Sequence, residues 1–159
     1  MPHAPRYAQG SRMILRRILL ALLVLFGAIQ LIRPARTNPP VDPAKTIEAA
    51  LPVDPAMAAI LDRSCKDCHS NRTVWPWYSN IAPVSWLLAH DVNEARSKMN
   101  LSEWTGYSRA EAQTLLMHMC EEVSGGDMPP WDYTAVHSGT ALSPAEVKTL
   151  CDWTARVAH

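Results

Sequence analysis

Cys65-Lys66-Asp67-Cys68-His69 sets two thiols three positions apart and an imidazole directly after the second. This is C-x-x-C-H, the attachment pattern of a c-type haem, in which the thiols bond to the haem vinyl groups and the histidine takes an axial position on the iron. The spacing has a mechanical cause. Positions i and i+3 share one face of a helical turn, so both sulfurs reach one porphyrin edge while the next residue projects toward the metal. Other uses of a CxxC pair fit less well. A thioredoxin-like pair follows a strand in a βαβ unit, whereas the segment before Cys65 is alanine-rich with helical spacing. A zinc site needs further ligands close by, and Cys120 and Cys151 stand 31 positions apart from each other. The residues therefore point to one covalent haem c with Cys65 and Cys68 as thioether donors and His69 as proximal iron ligand.

For the distal position the best candidate is Met128, in Ser124-Gly125-Gly126-Asp127-Met128-Pro129-Pro130-Trp131. The glycines let the chain turn out of a helix, and the prolines leave the backbone few alternatives, so the thioether is offered from a stiff loop. Met57, Met99, Met117 and Met119 fall in helical patterns and read as core or surface; Met128 also reads as an ordinary loop hydrophobe. His90 and His118 lie on predicted helices, and His137 precedes a polar turn at Ser138-Gly139.

CxxCH followed by Gly-x-Met-Pro resembles the class I cytochrome c pattern. The fuller string Cys65-x-x-Cys68-His69-Ser70-Asn71-x-Thr73-x-Trp75-Pro76-Trp77-Tyr78-Ser79-x-Ile81-Ala82-Pro83-Val84-Ser85-Trp86 more closely resembles the bacterial haem-binding domain family, small exported proteins with a single such motif. The resemblance spans about residues 50–157 and implies a covalently bound haem, His69 as proximal ligand and a distal ligand near Met128. It implies little about substrate. Trp75, Trp77 and Tyr78 are planar side chains suited to walling a haem pocket while their polar atoms reach partners; filling a small core that lacks Phe is the plainer use.

These residues must be held by short helices. Asp54-Pro55 supplies an N-cap and a first-turn proline for a helix running into Cys65. Pro83 opens a helix toward Met99, Ser108 to Glu111 is a capping box for a helix that stops at Gly125-Gly126, and Ser143 to Glu146 is a second one for a last helix. No two-residue alternation is sustained. The expected fold is all-α, a small cytochrome c-like domain with long ordered loops over residues 54–159. Cys120 and Cys151 fall on the last two helices, where an even leftover pair in an oxidising compartment forms a disulfide or stays as two separately buried thiols.

Ahead of this lies a leader. Residues 1–36 carry six Arg and no acid, while residues 37–159 carry nine bases against fifteen acids, a net charge of −6. An acidic domain argues against a nucleic-acid surface. Ile18 to Ile32 is uncharged, flanked by Arg16-Arg17 and Arg33-Pro34, which predicts a cytoplasmic basic tail at 1–12, a transmembrane anchor at 13–32 and a proline-rich tether at 33–53. A cleaved signal peptide is the competing reading, but no small-x-small site follows the apolar run. The arginine bias would place a single-pass protein in a bacterial inner membrane with the haem domain periplasmic. The functional expectation is a membrane-anchored monohaem electron carrier, not an enzyme, whose redox partner docks through a basic patch. A haem-based sensor or ligand-binding module with an open or labile distal site is the alternative, and a small peroxidase is a third reading, for which no distal His and Arg pair stands at convincing spacing.

Overall fold

The computed structural model describes residues 7–158. Among them every regular element is helical and no strand occurs, as the patterning predicts. The chain forms two compact units.

The first unit comprises residues up to Arg36 together with 76–89. Its long helix α1 spans Tyr7–Ile29. Beyond it, the Gln30 amide holds the backbone of Ala82 at two points, donating from Nε2 to the carbonyl at 3.1 Å and accepting the N–H at Oε1 at 2.9 Å. The Trp86 indole donates to the Ile32 carbonyl at 2.7 Å, and Arg36 donates to Ser79 Oγ at 2.7 Å. A 3-10 turn, Trp77–Asn80, carries Trp77 and Tyr78, whose rings meet edge to face at 5.7 Å.

The expectation of a membrane span at 13–32 is corrected here. Arg12, Arg16 and Arg17 lie inside α1, and the helix ends at Ile29, so its uncharged part is Ile18–Ile29. Twelve residues at about 1.5 Å each give about 18 Å, against a hydrocarbon core of about 30 Å. Residues 30–32 leave the helix, and Gln30 turns its amide to Ala82 instead of continuing it. Among the described residues no helix is long and apolar enough to cross a membrane. The single-pass inner-membrane placement, with a cytoplasmic amino terminus and a periplasmic haem domain, falls with the span. Residues 1–6 of the expected basic tail lie outside the described residues.

The second unit comprises residues 37–75 and 90–159. It holds helices α2 (Ile47–Ala50), α3 (Pro55–Ser64), α4 (Lys66–His69), the later turns of α5 (Val84–Lys98), α6 (Arg109–Gly125), α7 (Trp131–Val136) and α8 (Pro144–Val157). Local signals set most of the long boundaries. Asp54 Oδ1 accepts the Met57 N–H at 2.9 Å with Pro55 in the first turn, and Met57, Ile60 and Leu61 form the buried face of α3. Both capping boxes form, at Ser108 with Glu111 and at Ser143 with Glu146. Gly126 takes the left-handed conformation, φ 81°, that ends α6 at low steric cost.

The core gathers Ile47, Met57, Leu61, Leu101, Trp104, Leu116, Leu150 and Trp153, with α6 packed on α8 and α8 on α3. A disulfide joins Cys120 to Cys151, Cα atoms 4.9 Å apart, and cross-links α6 to α8. The segment expected as a tether is partly built in: Ile47 is fully buried, its N–H donates to the Leu101 carbonyl at 2.9 Å, and the Trp153 indole donates to the Pro52 carbonyl at 2.8 Å. Burial of one β-branched side chain decides this, and proline content does not reveal it.

Candidate functional site

The C-x-x-C-H residues occupy a single turn. Cys65 ends α3 and begins α4, and the His69 N–H donates to the Cys65 carbonyl at 2.9 Å, the helical i to i+4 bond. The segment therefore has the one-turn shape that its spacing predicts. Cys65 and Cys68 are free thiols. Burial pushes Cys65 up to about 12, with the neighbouring Cys68 adding to it; burial pushes Cys68 up to about 11, with Asp67 next in effect. Such thiols are protonated at neutral pH. A redox-active CxxC pair instead lowers the pKa of its nucleophile.

His69 is oriented from the backbone. Its Nδ1 lies 3.1 Å from the Ala95 carbonyl oxygen and 3.1 Å from that of Met99. Both partners are acceptors, so Nδ1 carries the proton and the neutral ring keeps its lone pair on Nε2, the arrangement of a metal-ligating histidine held by carbonyl oxygens. Burial lowers the His69 pKa, partly offset by these two bonds, and favours the neutral form.

The carbonyl of Ala95 in α5 and that of Met99 just beyond it reach His69 where Arg96 secures the end of that helix. Its guanidinium donates from Nε to the Ser70 carbonyl at 2.7 Å, from Nη1 to the Thr37 carbonyl at 2.7 Å, and from Nη2 to Asn38 Oδ1 at 2.9 Å and Thr73 Oγ1 at 2.8 Å. Ser70 and Asn71 are buried, and the Asn71 N–H donates to Ser102 Oγ at 3.1 Å. The polar run after His69 is thus a hydrogen-bonded turn that fixes the motif against α5. Arg96 carries no sequence signal beyond being a basic residue near the end of a helix.

A cleft opens beside this turn in two lobes of about 330 and 200 Å³. Ser64, Cys65, His69, Lys98, Met128 and Pro129 line both lobes. The larger one is finished by α6 and α8 side chains including Leu115, Met119, Val123 and Leu150, and its size falls in the usual range for small-molecule sites. The smaller adds Cys68, Tyr133 and the carboxylates of Asp67, Asp91 and Glu94. Met128 is 36% exposed, and its N–H donates to the Glu122 carbonyl at 3.2 Å, which ties the loop to the end of α6.

The structure therefore brings Cys65, Cys68, His69 and Met128 to one cleft. Trp75 is not among the residues lining either lobe. Trp75 donates its indole N–H to Asn38 Oδ1 at 3.1 Å, and Pro76 starts the turn that carries Trp77, 75% exposed, and Tyr78 in the first unit. The cleft's aromatic ring is Tyr133, stacked on His137 at 4.1 Å. Met119, Met99 and His118, which helical spacing assigned to core or surface, also line the larger lobe. Helical periodicity cannot separate a core face from a cleft face. Among the described residues no cluster of three or more His, Cys, Asp or Glu is arranged to hold a metal ion directly.

In comparison with known proteins, the family model of the haem-binding domain matches residues 24–156. No curated protein and no solved structure matches the chain.

Proposed function

The chain belongs to the haem-binding domain family, and from that premise we propose that it is a monohaem c-type cytochrome that carries electrons and turns over no substrate. The observation that carries the reading is the convergence of two free thiols, a backbone-held histidine and a loop methionine on one cleft. That donor set fits haem c. Cys65 and Cys68 would hold the group through thioether bonds, and His69 Nε2 and Met128 Sδ would ligate its iron. Bound haem supplies reversible one-electron chemistry at iron, and the protein supplies ligands, burial and charge. The two carbonyls on His69 Nδ1 keep Nε2 unprotonated and aligned. Leu115, Met119, Val123 and Leu150 keep water from the cleft and favour the less charged state of what it holds.

The same reading assigns the partner a basic patch. Asp67, Asp91 and Glu94 line the smaller lobe, and the chain beyond residue 36 carries a net charge of −6. Steering by such charges gives fast, weak association that falls with ionic strength.

Absorption spectra of holoprotein produced with a cytochrome c maturation system test the assignment. The expected result is a low-spin c-type spectrum in both oxidation states, with the ferrous form inert to carbon monoxide. Ready binding of carbon monoxide by the unmodified ferrous protein would overturn the electron-carrier reading in favour of a ligand-binding module with an open distal site.

A further inference from the structure

The loop that carries Met128 is fixed at its near end by α6, through the Gly126 turn and the Glu122 carbonyl. Its far end enters α7, six residues long, which is too short to hold its place without tertiary contacts. Two of its apolar side chains face solvent, Trp131 at 80% and Val136 at 64% exposure. Tyr133 faces the cleft, and its hydroxyl donates to Asp67 Oδ2 at 2.9 Å. Asp67 is one of the two middle residues of the C-x-x-C-H turn, and the segment that follows the turn holds it at two further points. Asp67 Oδ1 accepts the Val74 N–H at 3.1 Å, and its carbonyl accepts Thr73 Oγ1 at 2.6 Å. On the other partner, His137 stacks on the Tyr133 ring with planes 24° apart and its Nδ1 lies 3.0 Å from the Tyr133 carbonyl oxygen.

From this juxtaposition we propose that Tyr133, through its hydrogen bond to Asp67, is the positioning residue that locks the Met128 loop to the haem-attachment turn. The proposal rests on Met128 being the distal ligand. Met128 and Tyr133 are joined by a short, proline-stiffened path, so the phenol–carboxylate bond restrains movement of the Met128 backbone away from His69. The bond links the turn that presents His69 to the loop that presents Met128. A hydrogen bond to a carboxylate is among the stronger kinds, so losing it frees the loop substantially.

The test uses ferrous and ferric holoprotein of the parent chain, Tyr133→Phe, Asp67→Ala, the double variant and Met128→Ala. Helix content from circular dichroism should be the same in all five. Tyr133→Phe should raise the rate of carbon monoxide association with the ferrous protein by about tenfold or more and weaken the ferric charge-transfer band of iron–methionine bonding. Asp67→Ala should do the same from the other end of the bond, and adding Tyr133→Phe to it should change neither readout further. A Tyr133→Phe protein that matches the parent in both readouts overturns the proposal. So does a Tyr133→Phe effect that persists in full when Asp67 is already alanine, because the phenol then acts through another contact. If Met128→Ala itself leaves the spectrum and carbon monoxide reactivity unchanged, the distal-ligand assignment fails, and that failure is distinct from failure of the lock alone.

Discussion

Replacing Cys120 and Cys151 together by alanine removes a cross-link between α6 and α8 without removing either helix from the core. The bridge closes a loop with a sequence separation of 31. In the chain-entropy model that closure lowers the entropy of the unfolded chain by about 12 cal/mol/K, which is about 3.7 kcal/mol at 25 °C. This corresponds to about a 500-fold change in the unfolding constant. Trp153, buried on α8 and only two positions from Cys151, is one of the six tryptophans whose fluorescence follows unfolding. Urea titrations followed by tryptophan fluorescence should move the midpoint of the variant down by about 1–4 M, depending on a slope of about 1–3 kcal/mol/M. Alkylation before and after reduction should find two fewer reactive thiols in the unreduced parent. A midpoint shift worth less than about 1 kcal/mol would refute the reasoning, since it falls well below the loop-closure estimate. Finding all four cysteines alkylatable without reductant in the unfolded apoprotein would contradict the bridge itself.

Glu146 gives a pH test. Hydrogen bonds from Ser143, with Arg63 at 2.7 Å, hold its carboxyl down to about 2. The folded pKa is depressed, so this contribution is present above the ordinary carboxylate range and is lost as pH falls from about 4.5 toward about 2; Glu146→Gln should flatten that part of the acid-unfolding profile. Arg96→Ala leaves the acceptors at Ser70, Thr37, Asn38 and Thr73 without their shared donor. It should destabilise by about 2–4 kcal/mol and reduce holoprotein yield, measured by denaturation and by haem absorbance per protein. Ile47→Ala should cost about 2–5 kcal/mol because the side chain is fully buried, whereas a tether residue would cost almost nothing in the same titration.

What the sequence disclosed was what local chemistry determines. The start of α3 at Asp54-Pro55, the capping boxes of α6 and α8 and the glycine stop at Gly126 each involve residues within a few positions of one another, and all are read directly from residue types. The all-helical fold follows from them. C-x-x-C-H was legible because one helical turn sets its spacing, and Cys120 with Cys151 because they were the remaining pair. The parts that were not legible depend on distant or backbone groups. The carbonyls of Ala95 and Met99 that hold His69 have no side-chain signature, and Arg96 acquires its role only when residues 37, 38, 70 and 73 come together. The apolar run from Ile18 to Ile32 has the composition of a span, but composition does not show where the helix ends or that Gln30 pairs with Ala82. Trp75 gives its indole N–H to Asn38 Oδ1, a partner 37 positions away that residue types alone do not disclose.

The central claim is covalent attachment of one haem by the turn Cys65–His69. The most direct measurement is the intact mass of the holoprotein after unfolding in acid and extraction with organic solvent, compared with the variant in which both Cys65 and Cys68 are alanine. The account predicts that the parent polypeptide keeps the added mass of a single haem and that the double variant runs at the mass of the bare chain. A parent polypeptide that loses its haem on extraction would contradict the account.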